Sequence, residues 1–343
     1  MPTLDLVIAG IPLEIQTHSA RLLRLFADYF TYYSPRVRSS LLGGSGVDPL
    51  RVRLIRRREL PSLERLLPTG AELISETGVI RLWRDPGIDS GRYYFHAEVA
   101  AFRVDLATRT VTGLVAPEAL IYPHILANTY TLFPLLLLLR AEGVFHLHAA
   151  AAISPSGKLW LICGPQRAGK TTLTASLGLA GWRPISDDSL LLHGSGGDPR
   201  IESLRKYFHL GDALLDRWPA LGGIPRRHQY LDRTCVRGLD YFHARALAEL
   251  AYQRADYILL PRITGSERSE LRPADASRTL LTLGEQSVFL QLDRERMREQ
   301  WGLLGRLARE AKGYLLNAGR DLLEDPLLVA RLLEAQRHAR RTG

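Results

Sequence analysis

The sequence predicts a two-part α/β protein, with a mostly antiparallel β region over residues 1–117 and a strand–turn–helix domain over residues 118–343. Three observations carry that expectation. Apolar and polar residues alternate in short runs through the first third. Near Pro117 the texture changes to long apolar segments, and a glycine-rich turn, Gly164-Pro-Gln-Arg-Ala-Gly-Lys-Thr171, later joins an apolar strand to a helix. At 343 residues, 46% hydrophobic and 24% charged, the chain can bury a core and falls outside disordered or disulfide-stapled classes.

The elements follow in order. Residues 3–9 read as an opening strand, and Ser19 caps a helix with Leu22, Phe26, Tyr29 and Phe30 on one face. A loop rich in glycine, Gly43-Gly-Ser-Gly-Val-Asp-Pro49, precedes a half-buried strand in which Leu50, Val52 and Leu54 alternate with Arg51 and Arg53. Arg51, Arg53, Arg56, Arg57 and Arg58 read as a basic strand edge and turn, a device that discourages sheet-to-sheet aggregation, ahead of a phosphate- or RNA-binding role. Strands follow at 79–83 and 93–100, and Phe102, Val104 and Leu106 with Val111 and Leu114 flank a hairpin turn at 107–110.

Beyond Pro117 come a long apolar helix, a strand over 144–153, the strand Lys158-Leu-Trp-Leu-Ile-Cys163, and further strands over 184–192 and 257–260. Met297, Trp301, Leu304, Ala308, Ala311 and Leu315 recur at intervals of four and three, which predicts one helix face. Asp325-Pro326 caps a final helix carrying Leu328, Leu332 and Leu333, and Arg337 to Arg341 reads as a solvated tail.

Composition narrows the setting. Two cysteines, Cys163 and Cys235, make neither a disulfide framework nor a zinc spacing, and they fit a reducing cytoplasm; Cys163 reads as a small hydrophobe. The amino terminus lacks the basic-then-apolar order of a secretory signal. The apolar run Leu132–Leu139 stops at Arg140, short of the roughly 20 residues a membrane span needs. Nearly all of the cationic charge is arginine, and a net charge of +9 spread this diffusely is a weak argument for nucleic acid, which is not expected as a partner.

Gly164–Thr171 satisfies G-x-x-x-x-G-K-[ST] between a strand and a helix, the context in which that motif has physical meaning. Its glycines let successive N–H groups and the helix start face phosphate oxygens, while Lys170 reaches the outer phosphates and the Thr171 hydroxyl meets Mg²⁺. Asp187 and Asp188 end the strand 182–186. Alternation along a strand would point them to opposite sides, so one holds the metal and the other either takes a proton or caps the turn. His146 and His148, two apart on the preceding strand, share a face, with His148 the stronger candidate for the phosphate site. Arg226-Arg-His228 reads as a solvated loop, with a basic lid as the alternative.

The segments His148-Ala-Ala-Ala-Ala-Ile153, Leu161-Ile-Cys-Gly-Pro-Gln-Arg-Ala-Gly-Lys-Thr-Thr-Leu173 and Gly181-Trp-Arg-Pro-Ile-Ser-Asp-Asp188 together resemble the carboxyl-terminal domain of HPr kinase/phosphorylase. The resemblance covers about residues 145–192. It implies a P-loop domain with a mixed sheet related to phosphoenolpyruvate carboxykinase, using ATP and Mg²⁺. On the matching positions, Gly164, Arg167, Ala168, Gly169, Lys170, Thr171 and Thr172 would hold phosphates, and Thr171, Asp187 and Asp188 the metal. The catalytic set would be Lys170, the Asp187–Asp188 pair as ligand and general base, and His148.

Gln166-Arg167 stands where the family usually has Ser-Gly, and the family's second, arginine- and glycine-rich signature is not clearly present, with Val236-Arg-Gly-Leu-Asp240 only a faint echo at a different distance. The chain is therefore more similar to divergent stand-alone kinases, some of which phosphorylate a serine of ribosomal peptide precursors such as lasso peptides. The implied activity is transfer of the γ-phosphoryl group to a Ser/Thr hydroxyl of a peptide or protein, with the amino-terminal region recognising the acceptor and a homo-oligomer usual for the family. A small-molecule hydroxyl kinase and a nucleotide-binding regulatory module without transfer are the alternatives.

Overall fold

The alternation of the first third folds into one eight-stranded sheet, seen in a computed structural model that describes residues 1–30, 48–77, 80–87, 91–121, 123–194, 199–204, 207–221, 226–230, 233–237 and 254–338. Residues 43–47, 222–225 and 238–240 and the tail beyond 338 lie outside the described residues, as do the side chains of Arg226, Arg227 and His228. The strands are β1 (Thr3–Ile8), β2 (Ile11–Thr17), β3 (Leu50–Arg56), β4 (Glu72–Thr77), β5 (Ile80–Arg84), β6 (Arg92–Ala97), β7 (Ala100–Asp105) and β8 (Thr110–Val115). They lie in the order β1-β2-β3-β8-β7-β6-β5-β4, antiparallel except at β2/β3 and β3/β8. Helix α1 (Ala20–Tyr29) starts where the Ser19 hydroxyl accepts from the Leu22 N–H, and it buries Leu22, Phe26 and Tyr29.

Two expectations change in this unit. The arginine-bearing strand is not an edge: β3 pairs with β2 on one side and β8 on the other. The 117–141 segment is not one helix but a 3₁₀ turn Pro117–Leu120, a short turn Pro123–Ile125, a π-helical turn Leu126–Tyr130 and α2 (Leu132–Ala141). The π turn is closed by the Thr131 N–H donating to the Leu126 carbonyl, five residues back. Because α2 packs on β7 and β8, the 117/118 boundary lies inside the first compact unit, Met1–Glu142, and the second is Gly143–Gly343.

The second unit centres on a mixed six-stranded sheet ordered β12-β10-β11-β18-β20-β19, formed by β10 (Ala149–Ile153), β11 (Leu159–Cys163), β12 (Arg183–Ser186), β18 (Tyr257–Ile263), β19 (Glu270–Ala274) and β20 (Lys312–Ala318). β11, β18 and β20 run parallel, whereas β10, β12 and β19 join antiparallel. Helices cover both faces. Leu161, Cys163, Ile258 and Leu260 pack toward α4 (Ala276–Glu285) and α5 (Arg294–Glu310), while Trp160, Ile162, Leu259 and Tyr314 pack toward α3 (Lys170–Leu179) and α6 (Leu328–His338). Burial on both faces explains why these strands read as continuous apolar runs.

The strand expected over 144–153 is two, β9 (Phe145–Leu147) and β10, and that over 184–192 is also two, β12 and β13 (Leu190–His193). β9 and β13 pair with each other, and with β14 (Arg200–Ser203) they make a separate three-stranded sheet. A further sheet holds β15 (Tyr207–Gly211), β16 (Arg226–Tyr230) and β17 (Arg233–Arg237), so the segment Arg226–His228, expected as a loop, is strand, held by antiparallel pairing with β17. The helix expected through Leu315 ends at Glu310, and Leu315 lies on β20. An interval of four residues is one helical turn and also two full strand alternations, so Ala311 and Leu315 fit either element.

Among the described residues no helix is long and apolar enough to cross a membrane. Trp160 anchors the strand that leads to the glycine-rich loop. It is 1% exposed and stacks on Tyr257 with ring centroids 4.1 Å apart. Trp160→Ala is expected to destabilise the chain by about 3–5 kcal/mol, the range for truncating a buried aromatic. Denaturant unfolding monitored by circular dichroism checks this, and an unchanged midpoint would contradict it.

Candidate functional site

Loop 164–169 leaves the carboxyl end of β11 and turns directly into α3. The turn depends on positive φ at two positions, Gly169 at 90° and Arg167 at 66°. Glycine takes that conformation at no steric cost, whereas arginine is held there under local strain. Close approach fixes the other glycine: a Cβ on Gly164 would sit 3.3 Å from the Pro261 carbonyl oxygen. No side chain caps α3, so its first N–H groups stand at the loop with the positive end of the helix dipole.

Lys170 opens α3 and is 6% exposed. Its ammonium donates to the Gly164 carbonyl at 2.8 Å and the Pro165 carbonyl at 3.1 Å, spanning the start of the loop. Burial draws its pKa below the ordinary lysine value, and the charges of Asp188 and Asp187 oppose that shift. Ala168 is buried, Thr171 and Thr172 are half-buried, and Arg167 is exposed.

Asp187 and Asp188 occupy the bend between β12 and β13. The bend is braced by serines: the Ser186 hydroxyl donates to the Ser189 carbonyl at 2.9 Å and accepts from the Ser189 N–H at 3.1 Å. Strand alternation therefore does not apply here. The two carboxylates do not diverge as expected; one oxygen from each and a ring nitrogen of His209 lie within 4.8 Å of one another. Asp187 is 1% exposed and links the pieces. Its Oδ2 is 3.5 Å from the Thr171 hydroxyl, accepts the His209 backbone N–H at 3.0 Å, and is 4.0 Å from His209 Nδ1.

The structure thus brings Thr171, Asp187 and Asp188 together at the head of α3 and adds His209, which sequence reasoning missed. His209 sits on β15, more than twenty residues past the aspartates, and no local spacing marks it. His148 is not a member of that cluster. It is half-buried at the break between β9 and β10, where its N–H donates to the Gln286 carbonyl at 2.8 Å. The strand ends between His146 and His148, so the expected shared strand face is lost; His146 is buried against the Ser189 hydroxyl at 2.6 Å.

Beside the loop, a hollow of about 430 Å³ has Cys163, Leu260 and Leu315 in its lining together with Arg167, Arg262, Arg278 and Glu285. No protein-family model matches the sequence, and no curated protein does. A solved structure of the Hpr(Ser) kinase/phosphatase from Coxiella burnetii is similar over 57% of this chain and 97% of its own, with 13% identity and a TM-score of 0.32. A likeness that low adds nothing to what the site's own geometry says.

Burial pushes the Cys163 thiol up to about 12, so it stays protonated at neutral and mildly alkaline pH. Native protein treated with iodoacetamide at pH 8 is expected to leave Cys163 unmodified until the chain unfolds. Peptide-resolved mass spectrometry reads this out, and rapid labelling of the native chain would contradict it.

Proposed function

We propose that this chain is an ATP- and Mg²⁺-dependent phosphotransferase that moves the γ-phosphoryl group to a serine or threonine hydroxyl of a peptide or protein. The observation that carries the reading is the meeting of Thr171 with Asp187 at the start of an uncapped helix whose first residue is a buried lysine. A glycine loop, a lysine and a hydroxyl–carboxylate pair in that arrangement are the parts phosphoryl transfer needs.

The donors fit the cation. Thr171, Asp187 and Asp188 offer hard oxygen ligands, which Mg²⁺ prefers, and one of those carboxylates is almost fully buried. Mg²⁺ bound there would supply charge neutralisation between phosphates. The rest falls to the chain's own groups. Backbone N–H groups of loop 164–169 and α3 bind phosphate oxygens, and Lys170 exchanges its carbonyl partners for phosphate. Asp187, held by the His209 N–H and buried, serves as the metal-side carboxylate. Asp188, more exposed, takes the proton from the acceptor hydroxyl.

His209 supports Asp187 through its backbone, and its ring stands at the edge of the oxygen set. His148 has no role in this scheme. The acceptor is a polypeptide of the kind modified in ribosomal peptide pathways, and the supporting thread is the sequence resemblance over residues 145–192.

The test incubates the purified chain with γ-labelled ATP, Mg²⁺ and peptides encoded beside its gene. Lys170→Ala and Asp188→Asn are each expected to lower labelling of the polypeptide by about 10²–10³-fold with the fold retained, the scale of removing one electrostatic or proton-transfer element. Full labelling by folded Lys170→Ala would overturn the assignment, and ADP release with no labelled polypeptide would replace the acceptor with a small hydroxylated molecule. Replacing the His209 ring with alanine keeps its backbone N–H, so it should raise the Mg²⁺ concentration for half-maximal rate by about tenfold at most. A Mg²⁺ titration of the rate checks this.

A further inference from the structure

The first unit holds a polar hollow of about 360 Å³ lined by Gln16, Arg51, Arg53, Arg103, Asp105, Thr108, Thr110 and Thr112. Strand register builds it. Gln16 on β2 pairs with Arg53 on β3, Arg53 with Thr112 on β8, and Thr112 with Arg103 on β7. One step along the strands, Arg51 pairs with Thr110 and Thr110 with Asp105. Alternation places these side chains opposite the buried Val52, Leu54, Val104 and Val111, on the sheet's polar face.

Two arginines therefore flank one threonine across three neighbouring strands. Two strand spacings separate their backbones by roughly 10 Å, a gap that two long side chains close from either side. Arg51 precedes Arg53 by two residues on the same strand face. Every lining residue is polar or charged, which favours a polar ligand.

Charge makes the hollow an anion site. Its single lining carboxylate, Asp105, is already engaged, accepting from Arg92 at 3.2 Å and from the Thr108 N–H at 3.1 Å. Arg53 is steadied by its Nε donating to Gln16 at 3.3 Å, and Arg51 lies 3.5 Å from Glu14. Arg103 makes no ion pair among the described residues. Like charges on adjacent positions of one sheet face repel, and edge protection does not account for them because β3 is an interior strand. A bound anion removes that repulsion.

We propose that this hollow binds a dianionic phosphoryl group, carried either on a free phosphomonoester or on a phosphorylated side chain. With Arg51 shared with Glu14 and the Thr110 hydroxyl donating to the Thr108 carbonyl, the guanidinium forks of Arg53 and Arg103 and the hydroxyls of Thr108 and Thr112 remain as donors, and the forks match the tetrahedral phosphate oxygens. The inference does not rest on the proposed phosphoryl transfer, which concerns the other unit.

The experiment titrates the full chain with O-phosphoserine, with inorganic phosphate, and with a short fluorescent phosphoserine peptide beside its unphosphorylated twin. Wild type is expected to bind the phosphorylated probes and not the twin. Arg53→Gln with Arg103→Gln should weaken that binding at least about tenfold with an unchanged melting curve, because both side chains are exposed. Arg53→Lys with Arg103→Lys keeps the charge but loses the forks, and should fall between. If the double glutamine variant does not fold, Arg103→Gln alone carries the comparison.

Phosphate binding that is equal in wild type and the glutamine variant overturns the proposal, as does absence of binding by every probe at millimolar concentration. A peptide that binds more tightly than phosphoserine identifies a polypeptide source, and equal affinities identify a free monoester. Either supports the site.

Discussion

Two paired strands change sheets at the same level, and the candidate site depends on that change. β10 and β12 are neighbours in the six-stranded sheet, and β9 and β13, which adjoin them in the chain, are neighbours in another. The register runs from Ala151↔Ser186 in one sheet to Leu147↔Leu190 in the other, so the breaks at residue 148 and at 187–189 lie side by side. A strand that continued through 187 and 188 would send the two carboxylates to opposite faces. The break, shaped by hydrogen bonds between Ser186 and Ser189, is what lets both converge. Ser186 and Ser189 are themselves fully buried, so the bend is fixed from beneath.

Legibility followed the range of the interactions involved. Loop 164–171 was readable because its shape is mostly local: contiguous residues, two positive φ values and a helix start make the turn. The aspartate pair was readable as chemistry but not as geometry, since its convergence depends on a sheet change that apolar runs such as Leu190-Leu-Leu192 conceal. His209 was not readable at all. Its place beside Asp187 is set by β15 meeting the 187–189 bend, and nothing near residue 209 announces it.

Two other differences have the same root. Leu315 belongs to a strand because Lys312–Ala318 gains a parallel partner in β18 and an antiparallel one in β19, and pairing on both sides outweighs the helical spacing of the preceding residues. The approach there is close: a Cβ on Gly313 would lie 2.9 Å from the Ala274 carbonyl oxygen. Arg51 and Arg53 read as edge protection because a lone basic strand resembles an edge, and only the crossover from β2 to β3 to β8 puts them mid-sheet.

The two proposed anion sites differ in how the positive field is made, and that difference explains why only one carries a sequence motif. At loop 164–171 the donors are mostly backbone, so the fold of a few residues is the site, and side-chain identity matters only where it permits the turn or adds a charge. On the eight-stranded sheet the donors are side chains of β3, β7 and β8, whose sequence order gives no hint that Arg53 and Arg103 flank the same threonine. Such a site is rigid because its strands are paired on both sides, and the guanidinium fork has directional value only on a rigid base.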